Sequence, residues 1–111
     1  MSARHLASTL AWLLAAPLWA ASPATPATGA RAAALYDQHC QACHGADRLG
    51  GMGPALLPQS LERLKPGEVL AILRDGRAAT QMPAFAGRID DAELAQLAAW
   101  LATAPAQPPQ W

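Results

Sequence analysis

The chain has 111 residues, 52% of them hydrophobic and 14% charged, with 28 alanines and 10 prolines. That leaves room for one small domain, in a sequence too apolar to be disordered and too short for two cores. Eight basic residues balance eight acidic ones without forming a basic block. A nucleic-acid binder working by phosphate neutralisation is therefore disfavoured, and two cysteines exclude a disulfide-dense scaffold.

Residues 1–20 carry one positive charge, Arg4, ahead of an apolar run over residues 6–16, Pro17 and small residues around Ala20, Ala21, Ser22 and Ala24. A charged start, a short apolar stretch and a small-residue exit form the pattern of a secretory signal peptide. The run is shorter than the ~20 residues a spanning helix needs. Cleavage is expected after Ala20, with Ala24 the alternative cut and an uncleaved anchoring helix the competing reading. A cleaved signal gives a periplasmic product with no stable membrane insertion.

Residues 21–30, ASPATPATGA, are small and proline-bearing and are expected to be a flexible linker; residues 105–111, PAQPPQW, are expected to be a flexible tail. The folded domain is placed at residues 31–104. Three helices are predicted in it. The first spans residues 31–38, led by Ala32, Ala33, Ala34 and Leu35. The second spans 66–75, with Pro66 at its start, Val69, Ile72 and Leu73 on one face and Gly76 just beyond its end. The third starts at Asp90, with Glu93 placed to complete a capping box, and carries Leu94, Leu97, Ala98 and Leu101 at helical spacing before Pro105. One further turn is expected around residues 60–64, and the glycine-rich stretch 45–58 is loop. No strand pattern is visible, so the fold class is all-α. A domain this small usually needs a staple to complete its core.

The chemistry sits in Cys40-Gln41-Ala42-Cys43-His44. Two cysteines three apart at a helix end point their sulfurs the same way and match the two vinyl groups of haem, while the adjacent histidine can bind the iron. A redox CxxC would follow a strand, and none precedes Cys40. A zinc site would need ligands beyond this cluster, and a disulfide across three residues would be strained and would leave His44 without a purpose. One covalently bound haem c on Cys40 and Cys43, with His44 as an axial ligand, is the expectation. For the second axial ligand the choice lies between Met52 and Met82. Met82 is favoured because Pro83 stiffens the loop that presents its sulfur, whereas Met52 sits in a glycine loop only eight residues after His44. The competing reading of Met82 is a core gap-filler. His39 is expected to be a helix-end or surface residue. Arg48 and Arg77 flank these loops, and each is a candidate for a haem propionate or a solvated surface charge.

The order Cys40-Gln41-Ala42-Cys43-His44-Gly45, Gly53-Pro54-Ala55-Leu56, Met82-Pro83-Ala84-Phe85 resembles that of class I c-type cytochromes. The resemblance implies that the Pro54 carbonyl accepts a hydrogen bond from the His44 ring. It also implies that the first helix crosses the third with Tyr36 and Trp100 nearby. The runs DRLGGMGPALLP at 47–58 and GRAATQMP at 76–83 are similar to those of the small cytochromes c55X (NirC) of denitrifying bacteria, and to the cytochrome domain of the haem d1-handling protein NirN. This likeness covers residues 36–101. It implies a monomeric electron carrier, not an enzyme, serving the haem-d1 nitrite reductase; the alternative is a helper in haem d1 maturation. A five-coordinate haem protein that binds a small ligand is the further alternative, with Met82 merely packed. Docking is expected through an apolar face formed by residues 49–57 and 84–85.

Overall fold

The computed structural model describes residues 26–65 and 67–107. The expected signal peptide, the first half of the 21–30 linker, Pro66 and the end of the tail lie outside the described residues. Five helices and no strand occur among them: α1 (Pro26–His39), α2 (Gln41–His44), α3 (Pro58–Leu61), α4 (Glu68–Asp75) and α5 (Asp91–Leu101). The fold is all-α.

Helix α1 begins five residues earlier than its apolar spacing predicts, so residues 26–30 are helix where a flexible linker was expected. Pro26 at the first position sacrifices no intrahelical hydrogen bond, and Ala27 and Ala30 favour the helix enough to carry Gly29. The buried face of α1 is Ala32, Leu35 and Tyr36. It packs on the Leu94, Leu97 and Leu101 face of α5, and these residues form one cluster with Cys40, Leu73, Phe85 and Ile89. Leu94 and Leu97 expose no surface, and such burial stabilises by roughly 2 kcal/mol per leucine. At the same crossing the Tyr36 and Trp100 rings lie 5.5 Å apart, tilted by 48°.

The end signals of α4 and α5 act locally, with one change. Gly76, at φ 71°, closes α4 by donating its N–H to the Ile72 carbonyl at 2.8 Å. The Asp90 side chain caps α5 by accepting from Ala92 N at 3.1 Å. Glu93 does not complete the capping box: its Oε1 accepts instead from Arg31 Nε at 2.7 Å, because the helix crossing brings α1 within reach. The single turn expected at 60–64 lies at α3, Pro58–Leu61, since Pro58 suits a first helical turn. Helix α2 was not predicted at all; four residues are too few to show a period.

Candidate functional site

The two cysteines occupy the break between α1 and α2. Cys40 N donates to Tyr36 O at 2.8 Å and so still completes the last turn of α1. Its own φ of −121° then redirects the chain, and its carbonyl accepts from Cys43 N at 3.2 Å and His44 N at 2.9 Å to start α2. Both thiols are free; Cys40 is buried in the core and Cys43 is exposed. Burial, and secondarily the nearby Cys43, push the Cys40 thiol up to about 11, so it stays protonated at neutral pH.

The chain then folds back around His44. Gly45, at φ 82°, makes the turn, and its carbonyl accepts from the Tyr36 hydroxyl at 2.6 Å. Gly50 N donates to His44 O and Gly53 N to Cys43 O, each at 2.8 Å. This brings Gly53 against the imidazole: a Cβ there would lie 2.7 Å from Cε1 and 2.8 Å from Nδ1. His44 is buried, and its Nδ1 donates to the Pro54 carbonyl at 2.7 Å. A carbonyl can only accept, so this contact puts the ring proton on Nδ1 and leaves the Nε2 lone pair for a metal. Burial raises the Tyr36 phenol to about 12, and the hydroxyl bound to Gly45 therefore stays neutral.

Met82 is presented from the other side of the sequence gap, in the loop between α4 and α5. Gly76 lies against this segment, where a Cβ would come 2.8 Å from Met82 O and 2.9 Å from Ala84 N. Arg77 N donates to Met82 O at 3.3 Å, and Met82 N donates to Thr80 Oγ1 at 3.2 Å. Phe85 N and Ala86 N tie the end of the segment to the Leu73 and Arg74 carbonyls at 3.0 and 3.1 Å. Met82 is half-buried and packs on the core, whereas Met52 is 81% exposed. His39 ends α1 half-buried, its ring edge-on to Phe85 at 5.8 Å.

Two expectations need correction. Arg48 is not a solvated surface charge. It is 3% exposed, with its guanidinium on the carbonyls that end α5. The cause is long-range: the glycine loop passes under the last turn of α5. Phe85 is no part of a docking face, because it is buried in the core beside His39. Arg77, by contrast, is exposed. Sequence reading also missed the Tyr36–Gly45 bond and the contact of Gly53 with the imidazole. The glycines announced a loop but not which of them faces the ring.

Two free thiols on one helical turn, an imidazole with Nε2 available and a core-packed thioether are the donor set that suits a covalently attached haem. Among the described residues no group of three or more His, Cys, Asp and Glu side chains is arranged to hold a metal ion, so the zinc alternative finds no ligand set there. A surface groove of about 460 Å³ between α3, α4 and α5 is lined by residues such as Leu61, Val69, Leu70 and Ala98 and includes none of the five candidate site residues. No helix among the described residues is long and apolar enough to cross a membrane.

Comparison with known proteins places the chain among c-type cytochromes. Residues 27–101 match the family described as cytochrome c oxidase, cbb3-type, subunit III. Over 78 residues, 70% of this chain, the sequence is 60% identical to the dihydro-heme d1 dehydrogenase of Pseudomonas aeruginosa, but it spans only 16% of that relative's length. It is 33% identical over 99 residues to the cytochrome c55X of Stutzerimonas stutzeri, covering 86% of this chain and 88% of the relative. A solved structure of the c-type cytochrome NirC superposes with a TM-score of 0.63 at 32% identity, over 70% of this chain and 92% of that one.

Proposed function

The chain belongs to the family described as cytochrome c oxidase, cbb3-type, subunit III, a family of c-type cytochromes, and we propose that it is a periplasmic carrier of single electrons. One haem c would be held by thioethers from Cys40 and Cys43, with His44 Nε2 and Met82 Sδ as its axial ligands. Each thioether would come from a free thiol of this chain, its S–H adding across a vinyl group with no net oxidation. When bound, the haem supplies an iron that takes up and releases one electron. The protein's own part is to fix the imidazole through Pro54 and Gly53, to hold Met82 on the core and to keep Cys40 and His44 buried. The observation that carries this reading is the 2.7 Å bond from His44 Nδ1 to Pro54 O beside two unpaired thiols. Mass spectrometry of the exported protein tests it: the chain without residues 1–20 plus one haem is expected. A folded, exported chain without covalent haem would overturn it.

For the partner we favour the haem-d1 nitrite reductase, on the likeness to cytochrome c55X over nearly its whole length. A role in haem d1 maturation has its own support, the 60% identity to a segment of dihydro-heme d1 dehydrogenase. A deletion strain separates the two. Full haem d1 content with slowed nitrite reduction supports the carrier; depleted haem d1 supports the maturation helper. Without residues 1–20, and so without Arg4, seven basic residues face eight acidic ones, a formal charge of −1, so docking should rest on apolar contact around the exposed Met52 and show only mild salt dependence.

A further inference from the structure

Arg48 combines three uncommon properties. Its backbone is left-handed, at φ 62°, where glycine is the usual residue. Its side chain is charged and yet buried; the buried polar or charged side chains among the described residues are Arg48 and His44. Its guanidinium has no carboxylate partner: the ion pair among the described residues joins Arg31 to Glu93. Instead Nη2 donates to Thr103 O at 2.9 Å, and Nη1 donates to Leu101 O at 3.3 Å and reaches Trp100 O at 3.5 Å. The group also lies 4.6 Å from the centre of the Trp100 ring.

These carbonyls lie at the end of α5, where the helix dipole presents roughly half a negative charge. They accept from Nη1 and Nη2 but offset only about half of a full positive charge. The remainder is held in a site that screens poorly. The Arg48 backbone is also close to His44 in the chain. Four residues separate them, which limits the Cα–Cα distance to about 14 Å. Arg48 N further donates to Gly45 O at 3.1 Å, next to the axial histidine.

We propose that Arg48 is a potential-setting residue, a fixed buried cation that favours the reduced state of the haem held at His44. The inference rests on the proposed haem site. Its physical basis is that oxidation adds one positive charge to the iron centre, and a neighbouring cation in a poorly screened interior opposes that gain. Arg48 itself exchanges neither electron nor proton.

Equilibrium redox titration of the purified holoprotein tests the inference, with urea unfolding run in parallel. Arg48→Met removes the charge and keeps much of the volume. Arg48→Gly removes it while accepting the left-handed backbone, so it guards against a variant that fails to fold. Both are expected to lower the ferrous-to-ferric ratio at fixed ambient potential by up to about tenfold, equivalent to ~59 mV for one electron. Arg48→Lys keeps the charge and should stay within about twofold of the parent. A purely structural role would lower the unfolding midpoint and leave the potential alone. An unchanged potential in both neutral variants overturns the inference, as does an equal fall in Arg48→Lys. A parent chain with no covalent haem would instead overturn the proposed function, a result visible before any titration.

Discussion

The two loops that present the candidate axial ligands are built on different principles. Around His44 the main chain closes on the side chain itself: Gly53 touches the ring, Pro54 O takes its Nδ1 proton, and Gly50 N and Gly53 N bind the carbonyls of His44 and Cys43. Around Met82 only the backbone is held, by Arg77, Thr80 and the end of α4, and residues 77–81 are exposed. The imidazole is oriented before any ligand arrives, whereas the thioether is placed by packing and one short loop. In the proposed haem site histidine would thus be the more tightly oriented ligand and methionine the less constrained one.

The comparison is broken most severely at Gly53. Gly53→Ala places a Cβ 2.7 Å from the imidazole, which is pinned at Nδ1 by Pro54 O. Overpacking of this kind costs up to about 3 kcal/mol, and little holoprotein should accumulate when covalent haem is measured on exported chain. Normal yield with an unchanged spectrum would show that the ring has room. Met82→Ala comes next. It should keep the covalent haem and destabilise by about 2 kcal/mol. It should also open the iron to carbon monoxide and lower the reduction potential, because a thioether favours the ferrous state. Met52→Ala should leave the spectrum as it was; the reverse pattern would assign the ligand to Met52.

Tyr36→Phe probes the histidine loop more gently, removing the bond to Gly45 O at a cost of about 1 kcal/mol in urea unfolding. It also carries a pH signature. The phenol's pKa rises from 10.0 to about 12 on folding, so its neutral form stabilises the protein fully below pH 10.0, and that contribution is lost as pH rises through about 12. The parent should lose stability across this window and the variant should lack that component. Since Tyr36 is the single tyrosine of the chain, tyrosinate absorbance reports it directly. The smallest effect is expected for Thr80→Val, which removes the acceptor for Met82 N from an exposed turn. Stability should change by less than about 1 kcal/mol, while methionine-specific absorbance weakens and histidine ligation persists.

Much of this was legible in the residues alone. The Cys40–His44 spacing, the periodic leucines of α5, Gly76 as a helix end and the loop after His44 all follow from short-range covalent and dihedral constraints. Short elements were less visible: α2 and α3 hold four residues each, and the start of α1 was obscured by prolines and a glycine that also suit a linker.

What only the tertiary structure decided are the contacts between residues distant in sequence. Arg48 finds its carbonyls 52–55 positions away, and Glu93 leaves its capping role for Arg31, 62 positions away. Cys40 is buried while Cys43, three residues on, is exposed. Sequence spacing determines which groups share a helical turn, because bond geometry is local. Which charge is buried, and against what, depends on how α1 and α5 cross, and that crossing is set by the packing of the whole core.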